Sequence, residues 1–287
     1  MSPGILKNIR SAVSFIALVV FIFCGWNRPD PPVNPRQPVV FNLYSADSSM
    51  FRTGEELTYN VSYAFIDIGQ VRLQIGDKIT RDGRTFYKTK AYIDSYKGVP
   101  FVDLHTVYES SVDSQYYSRY FRGRTKTDSG WYYHVYDFDY PGRRIVISQG
   151  LGENFVSKKN DTLSIDTLYQ DGLSLFYFAR SKVLSGKKFS VPTVVGEKKG
   201  RTILNYSRVH SDREIDAVNY PVDAVYLEGS ADFVGVFGLT GDFEGWFSND
   251  KACVPILAKM GVIIGKISIE LIKWKREGWE PPRYVEK

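Results

Sequence analysis

Cysteine is scarce in this chain: of 287 residues only Cys24 and Cys253 carry thiols. If Cys24 is lipidated or removed, Cys253 has no partner, so no disulfide framework supports the fold and burial must hold it together. A chain of this length is long enough for that. Histidine is equally sparse. His105, His134 and His210 have neither helical nor HExxH spacing and no cysteine cluster beside them, which argues against a dedicated zinc site. Neither a metal nor a cofactor is expected. A G-x-S-x-G nucleophile elbow is absent, because GLSLF at 172–176 lacks the second glycine. Gly196 and Gly200 flank a charged turn without phosphate-loop spacing. Charge of one sign is in small excess, 37 Lys and Arg against 32 Asp and Glu, a net +5, too little and too scattered for a nucleic-acid footprint.

Long hydrophobic runs are limited to the N-terminus. Lys7 and Arg10 precede the uncharged stretch Ser11–Trp26, the charged and apolar regions of an export signal or N-terminal anchor over 1–26. Three fates stay open: lipidation at Cys24, ordinary cleavage, or retention as a membrane anchor. Phe23 is a poor neighbour for a lipidated cysteine. Residues 27–50 follow with five prolines between Pro29 and Pro38, an extended linker. A single β-rich domain is expected over 51–287.

Aromatic residues are plentiful, 15% of the chain with 20 tyrosines, a composition suited to half-buried strands. Leu57, Tyr59, Val61, Tyr63 and Phe65 alternate with Thr58, Asn60, Ser62 and Ala64, a period of two that one buried face requires. DGR at 82–84, TDSG at 127–130 and YPGRR at 140–144 end or separate further alternating runs. Ile263, Ile267, Ile269 and Leu271 close the series. Short turns between strands predict an antiparallel meander. The expected class is mainly β: a curved antiparallel sheet, barrel or half-barrel of about ten or more strands, with one buried central helix.

That helix is read from YQDGLSLFYFARSKV at 169–183. Leu173, Phe176, Tyr177 and Arg180 fall at i, i+3, i+4 and i+7, and Leu175, Phe178, Ala179 and Lys182 form a second stripe. Asp171 is placed to cap the first turn and Arg180 to complement the dipole of the last. Ser174 lies inside the helix, its hydroxyl suited to a preceding carbonyl, and Gly186 ends the run.

Three stretches carry a family resemblance: GEELTYNVSYAFIDIGQVRLQI, YQDGLSLFYFAR and GWFSNDKACVPILAKMGVIIGKISIEL. Their markers are Gly54, Glu55, Leu57, Tyr59 and Gly69; Gln170, Asp171, Ser174, Tyr177 and Arg180; and Trp246, Ser248, Asp250 and Pro255. Over residues 51–275 the chain resembles the bacterial exported-protein family known as domain of unknown function 3108. The resemblance implies an envelope protein with an antiparallel β-rich fold and offers no catalytic residues to transfer.

No catalytic residue is assigned. The polar candidates for a ligand or structural role are Asp171, Ser174, Arg180 and Asp250, with Asp250 suited to the backbone amides of its own turn. Leu173, Phe176, Tyr177, Tyr59, Tyr63 and Trp246 are the candidates for a pocket or core. If the helix leaves space above the sheet, an apolar pocket for a lipid or other hydrophobic molecule results. The chain then reads as a non-enzymatic protein of the cell envelope, periplasmic or anchored facing the periplasm. The alternative is an assembly module that binds another envelope protein through a sheet edge or aromatic patch. A hydrolase has only scattered acids and hydroxyls behind it.

Overall fold

The computed structural model describes residues 50–81, 84–99, 103–152, 155–233, 241–262 and 265–286. The chain divides into residues 1–40 and 41–287, and all described residues lie in the second unit. The expected signal and most of the linker lie outside them. No helix among the described residues is long and apolar enough to cross a membrane.

Fourteen strands form one antiparallel sheet. The first eight are β1 (Glu56–Tyr63), β2 (Ile66–Arg81), β3 (Arg84–Ser95), β4 (His105–Asp113), β5 (Ser118–Thr127), β6 (Gly130–Asp139), β7 (Arg144–Leu151) and β8 (Val156–Ser164). After the helix α1 (Gly172–Lys182) come β9 (Lys188–Val195), β10 (Lys198–Arg213), β11 (Val222–Ala231), β12 (Gly241–Ser248), β13 (Pro255–Val262) and β14 (Gly265–Lys275). Spatial order is β8-β7-β6-β5-β4-β3-β2-β1-β14-β13-β12-β11-β10-β9. The sheet is thus two meanders joined where β1 pairs with β14. Its free edges, β8 and β9, flank the helical connection in sequence.

Among the described residues, backbone pairing does not close the ring. Side chains reach between the two edges instead: Lys159 Nζ on β8 donates to Glu197 Oε1 in the β9–β10 turn at 2.6 Å, Gln149 Nε2 donates to the same oxygen, and Lys199 Nζ donates to the Ser164 carbonyl at 3.2 Å. Gln170 adds a single parallel bridge to β9, its N–H donating to Pro192 O and its carbonyl accepting from Val194 N. This occupies part of an edge that would otherwise invite another strand. The architecture is an open half-barrel.

The inward residues of β1, Leu57, Tyr59 and Val61, are buried, as are Val71, Leu73 and Ile75 opposite them on β2. Helix α1 packs across β3, β4 and β9. Leu173, Tyr177, Phe178, Ala179 and Val183 join the same core. Met50 and Phe51 are already part of it, and Phe51 stacks on Tyr87 and Tyr116 at centroid distances of 4.3 and 4.9 Å. The helix passes into a 3-10 turn, Val183–Ser185, and ends at Gly186 with φ 63°, a left-handed conformation that glycine adopts without steric penalty.

Candidate functional site

Asp171 sits at the N-cap in extended conformation and is fully buried. Its Oδ1 accepts from Leu173 N at 2.7 Å and Ser174 N at 2.8 Å. Ser174 Oγ accepts in return from Asp171 N at 3.0 Å, completing a reciprocal cap. The other carboxylate oxygen accepts from Ser110 Oγ on β4 at 2.6 Å and from Ser118 Oγ on β5. One carboxylate therefore fastens the helix to two strands. No cation is among these partners. Burial pushes the Asp171 pKa up, and the four hydrogen bonds oppose that shift without cancelling it. The serines are legible in retrospect. Ser110 shares inward parity with Tyr108 and Val112, a polar residue on an apolar strand face.

Arg180 lies in the last turn of the helix and is fully buried. Its Nη1 and Nη2 donate to Glu55 Oε1 and Oε2 at 2.5 and 2.9 Å, while Nε is shared between Ala252 O and Cys253 O at 3.0 and 3.1 Å. Arg276 Nη1 also donates to Glu55 Oε2, and to Met50 O at 3.1 Å. The physical reason is spacing. Arg180 shares a stripe with Leu173, Phe176 and Tyr177, so the packing that buries the helix buries the guanidinium and demands a carboxylate. Burial works to raise the Glu55 pKa, but the charges and hydrogen bonds of Arg180 and Arg276 overcome it and hold the acid below its ordinary value.

Asp250 organises the β12–β13 turn. Its Oδ1 accepts from Ala252 N at 2.9 Å, Cys253 N at 3.1 Å and Ser248 Oγ at 2.8 Å, and Oδ2 accepts from Trp279 Nε1 at 2.7 Å. Burial pushes the Cys253 thiol up to about 11, which leaves little nucleophilic thiolate at neutral pH. The Nδ1 of His134, on β6, is buried without a hydrogen-bond partner among the described residues. Burial lowers its pKa. No group of three or more His, Cys, Asp or Glu among the described residues is placed to hold a metal ion.

Between α1 and the half-sheet β1–β2/β9–β14 lies a cavity of about 180 Å³. Leu173, Leu175, Phe176 and Ala179 form its helical wall, and Tyr59, Val71, Leu73, Leu204, Leu227, Phe243, Phe247, Ala258, Met260 and Ile269 face it from the strands. Leu173, Phe176 and Tyr59 thus meet at one apolar space. Tyr177 is buried beside it, its hydroxyl donating to Gln74 O at 3.4 Å, and half-buried Tyr63 is not in the cavity wall. A larger, more polar depression of about 650 Å³ adjoins it, sharing Phe243, Glu244 and Met260 and lined further by Lys188, Glu228, Asp242, Lys259 and Lys266 among others. Glu228 and Glu244 there already accept from Asn205 and Tyr226. The smaller cavity is the one with the apolar lining of a binding site.

Trp246, expected in a pocket or core, is buried but lies outside the cavity. Gly245 and Phe247 line the cavity, and Trp246, between them on β12, faces the opposite side of the sheet. There Arg213 lies over its ring at 4.5 Å and Lys259 at 5.7 Å, so cationic side chains bury it from outside.

Fold and cavity together define a mainly β protein built as an open antiparallel half-barrel plugged by one helix. The chain belongs to the family described as a protein of unknown function, DUF3108, whose model matches residues 58–272. A search of the curated proteins returns no match. Among solved structures, the chain is similar to the crystal structure of a β-barrel-like protein of domain of unknown function DUF1849 from Brucella abortus. The TM-score is 0.51 at 9% identity, covering 77% of this chain and 97% of that one. At that identity the likeness concerns the fold alone.

Proposed function

We propose that the protein is a non-enzymatic, exported envelope protein that holds one slender apolar molecule, such as a lipid acyl chain, beneath α1. The observation that carries this reading is the cavity itself, lined by Phe176, Leu173, Phe243, Met260 and their neighbours. Its volume of about 180 Å³ selects the ligand class. Apolar cavities of about 150 Å³ stay dry and admit benzene, whereas pockets for drug-sized ligands span roughly 300–1,000 Å³. A single short chain or chain end fits; a whole multi-chain lipid does not. Polar parts of such a molecule would remain outside, since the apolar wall offers them little. The uncharged stretch Ser11–Trp26 after Lys7 and Arg10 supports export.

Mass spectrometry of organic extracts from the purified full chain tests the reading. A co-purifying or exchangeable acyl compound is expected, and it should be lost in Ala258→Phe, which fills the cavity from β13. Extracts free of such compounds, together with no uptake of added fatty acid, would refute it.

A further inference from the structure

Strand β5 carries cations at alternate positions. Arg122, Arg124 and Lys126 follow one another at intervals of two, so the pleat sends all three to one face, about 6.7 Å apart along the strand. Phe121 and Gly123, on the other parity, are buried, and Phe121 belongs to the core. The cations therefore stand on the outer face of the half-barrel. On the neighbouring strand β6, Tyr133 pairs with Arg124 and Trp131 with Lys126. Each guanidinium leans over a ring: Arg122 over Tyr133 at 4.9 Å and Arg124 over Trp131 at 5.0 Å. Phe155 meets the Tyr133 ring edge-on at 5.5 Å.

Stacking fixes the planes of these two arginines and leaves donors unanswered. Nε of Arg122 and Nε of Arg124 are buried without a hydrogen-bond partner among the described residues, and neither side chain forms an ion pair there. The acids nearest in the pairing are otherwise placed. Glu109, opposite Arg122 on β4, is engaged by Lys90 at 2.7 Å, and Asp137 stands opposite Tyr120, two residues along the strand. Arg119 on the same strand shows the contrast. It lies over Tyr140 at 4.4 Å and also donates through Nε and Nη2 to Asp113 Oδ2 at 3.1 and 2.7 Å. Arg213 over Trp246 shares the open Nε, but no second arginine stands two residues from it. Adjacent guanidinium groups repel, and a buried donor without an acceptor carries a desolvation cost. An oxyanion laid between Arg122 and Arg124 relieves both.

We propose that Arg122 and Arg124 form a clamp for a phosphate group. A guanidinium held flat on a ring presents its fork of N–H donors along its edge, the geometry that takes oxyanions through paired hydrogen bonds. One fork is matched by the two oxygens of a carboxylate. Two adjacent forks call for an anion with more acceptors, which a phosphate group supplies. Lys126, exposed on the same line, adds a point charge at the rim. A phospholipid head group and a soluble phosphorylated compound both carry this chemistry. The clamp lies on β5 and β6, which contribute nothing to the cavity wall beneath α1, so it does not depend on the cavity being occupied.

The test titrates the full chain with glycerol phosphate by calorimetry, with acetate as the carboxylate control. Sedimentation with vesicles containing phosphatidic acid is measured above a baseline of phosphatidylcholine vesicles, which accounts for attachment through the N-terminus. Glycerol phosphate is expected to bind saturably at one site, at least tenfold tighter than acetate. The pair Arg122→Gln with Arg124→Gln should weaken it at least tenfold. The pair Arg122→Lys with Arg124→Lys, which keeps the charge and removes the forks, should weaken it several-fold. Thermal unfolding shows whether each variant is folded, and the wild-type comparison with acetate decides the matter even where one is not. Extra sedimentation on phosphatidic acid that the Gln pair abolishes assigns the phosphate to a lipid head group. Glycerol phosphate binding without extra sedimentation assigns it to a soluble compound. Absence of both overturns the proposal. So does binding no tighter than that of acetate, or binding undiminished in either folded pair.

Discussion

Arg180 and Glu55 stand 125 positions apart in sequence and meet as a two-pronged ion pair, at 2.5 and 2.9 Å, in a region both side chains scarcely share with solvent. The pair joins the helix to the start of β1, and Arg276 joins the end of β14 to the same carboxylate. Glu55→Gln leaves two guanidinium groups facing each other and should destabilise by about 3–5 kcal/mol. Adding Arg180→Met should recover part of that loss, because one unpaired buried charge is removed. Urea unfolding of the single and double variants measures both effects. Since the folded Glu55 pKa is depressed, its contribution is present above the ordinary glutamate value and is lost as pH falls through the folded one. The loss caused by Glu55→Gln should shrink accordingly in acid.

Asp171 has the opposite sign. Its pKa is raised by burial, so its titration favours folding below the ordinary aspartate value and that contribution is lost as pH rises through the folded one. Asp171→Asn should therefore be more damaging at pH 3.5 than at pH 7.5. Parallel denaturant melts at the two pH values check this. An equal loss at both would mean that only the cap and the serine hydrogen bonds matter.

The β1–β2 turn predicts a gain. Ala64→Asn with Phe65→Gly gives the turn residues suited to its positive φ values, and should raise stability by about 1 kcal/mol or more. Thermal unfolding reads the gain.

Trp246→Phe tests the strand register. Because the indole lies outside the cavity, under Arg213 and Lys259, the substitution should leave fatty-acid uptake unchanged while lowering stability slightly. Phe247→Ala, on the cavity side, should alter uptake. Reversal of the two results would place the wrong face of β12 inward.

Much of the architecture was legible because its signals are local. The alternation from Leu57 to Val61 marks a half-buried strand, Asp171 before an apolar helical run marks a cap, and Asp250 near Pro255 marks a turn. What escaped was the pairing of distant elements. Glu55 carries no local sign that Arg180 will reach it, although an acid between Phe51 and Leu57 already stands among core residues. For Trp246 the sequence left pocket and core both open, because the inward parity of β12 includes a glycine, Gly245, that weakens the apolar pattern. The space left beneath α1 depends on how Phe176, Phe243 and Met260 fill it together, a property of packing that no single stretch contains.

The proposed function turns on an apolar cavity beneath the helix that takes one slender hydrophobic molecule. A fluorescence titration of the full chain with a fatty acid bearing an environment-sensitive reporter, compared between wild type and Ala258→Phe, measures it most directly. Saturable uptake at one molecule per chain by wild type and its loss in a variant that remains folded is the predicted result. Equal uptake by both, or none by wild type, would contradict the account.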